Sequence, residues 1–448
     1  IYDNLLVQVS GRAESLSTLP GAGVIFYPSG SIGYKITDLI GSDAVDFAKI
    51  RASYGEVGIG ANPYATSTVY GPGGIFSSWG DGLGGYLYGN PFTQSASRGN
   101  PNLKEERKSE TEFGLDLRMF DNAITLNATY YENETNDGII ALPIPASTGF
   151  TTTLQNAATI SNKGFELDLT ARLIRTDDFG VSVNANYTQN RNLVVDLKGS
   201  AYSILNGFTS TSSGIAEGYP FAVLRSGVYE KDASGNYVLN ANGFPNAASE
   251  KEVGVGGPNA DFRAGFGVNI YYKNLSLTSV VETSQGNDVW NGTYGVLNYF
   301  GIHEDTAIKT VNDTGATIVN SAGTEIPAGA TFRGYIEDFG GGPVAVDSEW
   351  WTTNGGGFGD VGEPFIMDAS WIKMREVSLT YNFTEAFVKN LGLSNLTLSV
   401  SGRNLFLWSA IDGFDPENNL TGASRGRGLE YFSNPGTSSF LTTLRLQF

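Results

Sequence analysis

Hydrophobic and polar residues alternate along most of this chain. "TEFGLDLRMF" sets Phe113, Leu115, Leu117 and Met119 on one face and Gly114, Asp116 and Arg118 on the other. "AITLNATYY" sets Ile124, Leu126, Ala128 and Tyr130 against Thr125, Asn127, Thr129 and Tyr131. "GFELDLTARL" and "VSVNANYT" repeat the period with Phe165, Leu167, Leu169, Ala171, Leu173 and with Val181, Val183, Ala185, Tyr187. A period of two is the signature of a two-faced strand. About twelve such runs occur, at 3–14, 24–37, 46–56, 106–120, 122–137, 159–175, 179–195, 259–273, 275–288, 370–384, 394–408 and 436–448.

The connections predict more than the strands do. "FDNA" (120–123), "RTDDFG" (175–180) and "YKNL" (272–275) are tight turns built from Asp, Asn and Gly. The others are expected to be long, about 20 to 80 residues, and to alternate strictly with the short ones. Short turns on one side and long loops on the other mark an outer-membrane β-barrel rather than a soluble sandwich. Aromatics gather near the short-turn ends, at Phe120, Phe179, Tyr272, Phe383 and Phe448, with Tyr130 and Tyr187 farther up. That is the placement of two girdles flanking a lipid-facing band. The opposite face carries Asp116, Arg118, Glu166, Asp168 and Arg172 and is expected to line a wet lumen, its charges pairing with each other or with a plug. The fold class expected is therefore all-β, a transmembrane antiparallel barrel. Both termini fall on the short-turn side, and the terminal aromatic of "TTLRLQF" suits the C-terminal signal read by barrel assembly machinery.

Composition narrows the function. With 28 basic and 46 acidic residues the net charge is −18, which disfavours nucleic acid as a partner. There are 58 glycines, which suits a turn-rich β protein, and no cysteine, which removes thiolate chemistry and Cys-built metal sites. No stretch approaches a membrane-spanning helix in length, and residues 1–20 lack the pattern of a signal peptide.

Residues 100–171 carry a denser signal. Asn100-Pro101-Asn102-Leu103 with Glu105 is followed by Gly114-Leu115-Asp116, "TYYENETNDGII", "ASTGF", Asn162-Lys163-Gly164 and Glu166. "FAKIRASYGEVG" (47–58), "VGGPNADFRAGFGVNIYYKNLSL" (255–277), "DASWIKMREVSLTYNF" (368–383) and "LSVSGRNLFLWS" (398–409) continue it in order. These segments resemble the SusC/RagA-like TonB-dependent outer-membrane transporters. One departure is "YFSNPGTSSF" before the last strand, where the family often shows Tyr-Pro and Arg-Thr. The resemblance implies a barrel of about 22 strands, plugged by an N-terminal domain, energised by TonB and capped by a SusD-like lipoprotein. It implies that residues 1–448 are the C-terminal part of that barrel, with the plug, the TonB-contacting segment and about ten strands lying outside them.

Candidate chemistry is sparse. His303 is the only histidine and has no second His for a metal site. Glu304-Asp305 and the set Asp412, Asp415, Glu417 offer oxygen ligands of the kind calcium takes, in a spacing that matches no EF-hand; solvated loop acids are the plainer reading. No other cofactor is expected. Gly-rich "GPGGIFSSWGDGLGGY" (71–86) and "NGGGFGDVG" (354–362) lack the lysine and the strand–helix context of a phosphate loop. Loop aromatics Trp79, Tyr86, Tyr88, Trp290, Tyr299, Trp350 and Trp351 would meet ligand or lid, or else pack on one another. Asp305-Thr306-Ala307 resembles an O-glycan attachment sequence, with Thr306 as acceptor, though a chance tripeptide is the plainer reading. No nucleophile–base pair points to an enzyme. The expected function is energised import of a large oligosaccharide or peptide, with a SusD-like lipoprotein, TonB and outer-membrane lipid as partners. The alternatives are a SusC-like structural subunit of a larger assembly and a self-contained twelve-strand pore or adhesin.

Overall fold

The computed structural model describes all residues except 1–3, 74, 78–79, 84–85, 87–88, 209, 354, 412 and 423–425. Of the expected aromatics, Trp79 and Tyr88 lie outside the described residues, as does Asp412.

Among the described residues, twelve long strands follow one another: β1 (Leu5–Glu14), β2 (Ile25–Lys35), β3 (Val45–Ile59), β4 (Glu106–Met119), β5 (Ile124–Pro143), β6 (Thr152–Arg175), β7 (Phe179–Asp196), β8 (Phe262–Tyr272), β9 (Leu275–Gln285), β10 (Trp371–Asn382), β11 (Asn395–Ser409) and β12 (Ser439–Gln447). They stand where the alternation predicts them. The chain divides into two compact units.

In the first unit the strand order is β1-β2-β3-β4-β5-β6. Register explains the two faces. Val7 opposes Ile32, Ile32 opposes Ala52, Ala52 opposes Phe113 and Phe113 opposes Tyr130, one apolar row across five strands. Val7, Ile32, Phe113 and Tyr130 in this row are all exposed. An exposed contiguous apolar row is what a strand wall presents to lipid. On the other face Lys49 lies opposite Asp116 and Arg51 opposite Gly114. The partners of Asp116 are therefore Lys49, at 3.6 Å, and Arg51, at 3.4 Å. This corrects the expected pairing with Arg118, whose guanidinium lies 5.3 Å over the Phe47 ring.

In the second unit β8 to β12 continue the order after the first part of β7. Phe266 opposes Ala185 and Val281, Val281 opposes Met374 and Met374 opposes Phe406. The polar face repeats the register with Ser182, Asn269, Thr278, Ser378 and Ser401. At the turn ends Phe179 opposes Tyr272 directly, Phe383 packs on Tyr381 and Phe387, and Phe120 and Phe448 are exposed. No helix among the described residues is long and apolar enough to cross a membrane.

The connections depart from strict short–long alternation. The link 15–24 is compact, and so is 144–151, the latter because β5 runs on to Pro143 and β6 already starts at Thr152. Below that extension a side-chain amide chain crosses the strands: Asn162 donates to Asn133 at 3.0 Å and Asn192 donates to Asn162 at 2.7 Å. Such cross-strand bonds hold strands together where lipid no longer does.

The cores sit in the loops rather than under the strands. In the second unit Tyr229, Phe244, Val344, Val346, Trp350, Trp351 and Val361 form one buried cluster, and Leu224, Trp290, Phe365 and Leu429 another. A smaller one in the first unit gathers Leu19, Ala61, Ala65 and Leu103. Loop hairpins are shaped by Asx turns: Asp232, Asn240, Asn320 and Asp338 each accept backbone N–H groups two and four residues on.

Candidate ligand-binding cavity

A cavity of about 410 Å³ opens on the polar face of the second unit. Three adjacent strands build its wall through register alone. Arg263 on β8 opposes Ser284 on β9, and Ser284 opposes Trp371 on β10. One step along, Glu282 opposes Lys373. The loop segments Asn287–Val289, Pro416–Asn419 and Arg427–Gly428 complete the lining.

Strand β10 departs from simple alternation at one point. Its register against β9 jumps between Met374 and Glu376, leaving Arg375 as an extra residue. A bulge of this kind re-aims one side chain without disturbing the rest of the ladder. Trp371 and Lys373 precede it, Arg375 is the bulged residue, and Glu376, Ser378 and Thr380 follow it. All belong to the polar side of the wall, so the chain keeps one polar face across the phase change.

The bulge concentrates charge. Arg375 donates from Nε to Glu282 at 2.6 Å and from Nη1 to Glu417 at 2.6 Å, with a second bond from Nη2 to the other Glu417 oxygen. The nearly buried Lys373 ammonium donates to both Asp415 oxygens, at 3.1 and 2.8 Å, and to Glu417 at 2.5 Å. Both cations lie near Trp371, at 5.0 Å for Arg375 and 5.9 Å for Lys373. Burial pushes the Glu417 carboxyl upward, but bonds from Arg375 and Lys373 outweigh it and hold the group below the usual carboxylate range. Asp415 and Glu417 are therefore not a solvated acid pair: their oxygens are bonded by two cations. Among the described residues no group of three or more His, Asp or Glu side chains could hold a metal ion.

Across the cavity, Asp288 behaves differently. Burial raises its carboxyl, the N–H of Gly257 at 3.0 Å opposes that, and the neighbouring Asp368 and Asp261 raise it further. Asn259 is fixed by donating to the Phe221 carbonyl at 2.6 Å, and its oxygen accepts from Arg427 Nη2 at 2.5 Å. Gly428 follows in a left-handed conformation, φ 90°, and a Cβ there would stand 2.8 Å from Pro258. Glycine is required for so close an approach, and it places Arg427 against the cavity.

The other expected site residues lie elsewhere. Trp290, Trp350 and Trp351 are buried in the loop clusters, so their rings serve loop packing. Tyr299 is half-buried against Phe300 and Phe358, whereas Tyr86 is exposed. Glu166, Asp168 and Arg172 are exposed on β6. Thr306 is fully buried and its hydroxyl donates to the His303 carbonyl at 2.7 Å. This corrects its reading as a glycan acceptor, because a transferase cannot reach a buried hydroxyl. His303 accepts from the Asp305 N–H, and Tyr294 donates to the Asp305 carboxylate at 2.9 Å. Of the residues that matter most here, Arg375 had a local sequence sign: two adjacent charges, Arg375-Glu376, break the alternation of "WIKMREVSLTYN". Arg263 and Arg427 had none, since nothing local links positions 263 and 427.

An antiparallel wall with lipid-type apolar rows on one face and a charged, hydrogen-bonding face on the other defines an outer-membrane β-barrel protein. The family described as TonB dependent receptor-like, beta-barrel matches residues 1–405, and the chain belongs to that family. TonB-dependent receptor P3 of Formosa agariphila is 26% identical, across 94% of this chain and 42% of that protein. TonB-dependent receptor SusC of Bacteroides thetaiotaomicron is 24% identical, across 94% of this chain and 40% of its own length. The chain thus spans less than half the length of the curated relatives it matches. Among solved structures, the RagAB peptide transporter shares the fold with a TM-score of 0.72 at 19% identity, over 100% of this chain and 46% of that one. The protein is an outer-membrane protein resembling the SusC and RagA members of its family.

Proposed function

We propose that this chain forms part of the wall of a TonB-driven importer for a large polar nutrient, working with a SusD-like surface lipoprotein. The observation that carries the reading is the cavity on the polar face, lined jointly by strand side chains and folded loops. A passive pore wall needs no such recess, whereas a transporter must hold its cargo before releasing it inward. The family membership and the similarity to SusC support the energy source and the lipoprotein partner.

The test uses the full-length protein in its native outer membrane. Removing the TonB-contacting segment should abolish accumulation of labelled oligosaccharide or peptide while leaving the barrel at wild-type abundance. Undiminished accumulation would refute energised import and leave a structural role in a larger assembly. Purification in mild detergent should recover one lipoprotein partner; several unrelated outer-membrane subunits would favour assembly instead.

A further inference from the structure

Two guanidinium groups border the cavity without a carboxylate to meet them. Among the described residues neither Arg263 nor Arg427 takes part in an ion pair. Arg427 spends one nitrogen on Asn259, and its Nε is buried with no partner among the described residues. A buried donor left unmade is costly, and structures that retain one commonly do so for a bound group.

The cavity's acids do not supply the missing charge. Glu282 is bonded to Arg375, and Glu417 to Arg375 and Lys373. Asp288 takes the Gly257 N–H and is pushed toward its neutral form by burial. Arg427 is itself pushed downward, first by burial and then by the like charge of Arg263. The half-buried Arg427 and the exposed Arg263 repel each other, and a shared anion relieves that repulsion. The recess is built for it: Asn259, anchored on Phe221, holds one guanidinium, and Gly428 packed on Pro258 fixes the backbone beside it.

The rest of the lining selects the kind of anion carrier. Asn186, Asn418 and Asn419 bring amides, Thr283 and Ser284 bring hydroxyls, and the indole of Trp371 lies among them. Amides and hydroxyls suit the ring hydroxyls of a sugar, and an indole face suits its ring.

We propose that Arg427 and Arg263 jointly bind the carboxylate of a uronate-bearing oligosaccharide held in this cavity. The proposal rests on the importer reading for its physiological role. Its test, however, is one of binding alone.

The full-length transporter in detergent is titrated calorimetrically with tetragalacturonate, with neutral maltotetraose and with tetraglutamate. Tetragalacturonate should bind tightest and lose affinity as salt rises. Arg427→Gln and Arg263→Gln should each weaken it about ten- to a hundred-fold, the loss of a charge-assisted bond. Weak maltotetraose binding should be unchanged in both variants. Arg427→Lys, which keeps the charge and lacks the fork, should retain intermediate affinity and shows that the site tolerates substitution. The proposal is overturned if wild-type protein does not prefer tetragalacturonate to maltotetraose, or if tetraglutamate binds more tightly. It is equally overturned if both glutamine variants bind like wild type. Loss of TonB dependence in cells would sink the importer reading and leave these binding differences to decide the site.

Discussion

Lys373→Met tests whether the buried ion network latches the segment 410–438 to the strand wall. The Lys373 side chain is 6% exposed and bridges Asp415 and Glu417. Without it, Glu417 still has Arg375, but Asp415 has no other cation among the described residues and its side chain is only 10% exposed. Leaving one buried carboxylate uncompensated costs about 3–5 kcal/mol. If that cost falls on local opening, amide exchange in the segment should accelerate about a hundred- to a few thousand-fold. The amides of Glu417 and Asn418, bonded at 3.1 and 2.9 Å to Asp415, are the most direct reporters. Hydrogen exchange with mass spectrometry on the detergent-solubilised protein reads this peptide by peptide. Lys373→Met combined with Asp415→Leu removes both charges and should recover most of the protection. Wild-type exchange in the single variant would refute the latch. So would a double variant that exchanges as fast as the single.

Three further outcomes follow from other sites. Because the Glu417 carboxyl is held below the usual range, its contribution is complete above that range and is lost as pH falls from it through the lower folded value; protection of the segment 410–438 relative to intrinsic exchange should therefore fall on acidification below about pH 4, and Glu417→Gln should show that loss of protection already at neutral pH. Burial, then the Asp305 carboxylate, pushes Tyr294 up to about 12. Its contribution is present below the ordinary tyrosine range and lost as pH rises through the folded value, so the ultraviolet difference titration of wild type against Tyr294→Phe should show one late-ionising phenol. Trp350→Ala empties the contact with Phe244 at 5.0 Å and with Tyr229 and Phe339 at 5.9 Å; a loss of about 3–5 kcal/mol should expose 228–250 and 318–346 to limited proteolysis while the heat-modifiable barrel band on a gel is unchanged.

The strands were legible because two solvents enforce the period. Lipid on one side and water on the other leave no freedom at Phe113, Leu115 and Leu117 against Gly114 and Asp116. The long connections carry no such constraint. Tyr229, Phe244, Val344 and Trp350 meet in one core from distant positions and show no common period. The aromatic content of the loops was visible, but not whether a ring faces inward, and Trp290 proves fully enclosed. The acids Asp415 and Glu417 stood out as a charged set; their partners are strand cations more than forty positions upstream, joined by tertiary packing. The pair that defines the anion site, Arg427 on Asn259, spans 168 positions.

The bulge at Arg375 also has a genetic side. Against β9, deleting this one residue would restore unbroken alternation, with Trp371, Lys373, Glu376 and Ser378 on one face and Ile372, Met374 and Val377 on the other. A single codon thus separates a plain strand from one that carries an additional guanidinium into the recess. In-frame insertion or deletion at this one position could add or remove charge on the polar face, while the apolar face of the strand stays neutral to the change. Selection on the polar face and selection on membrane insertion would then act on separate letters of the same strand.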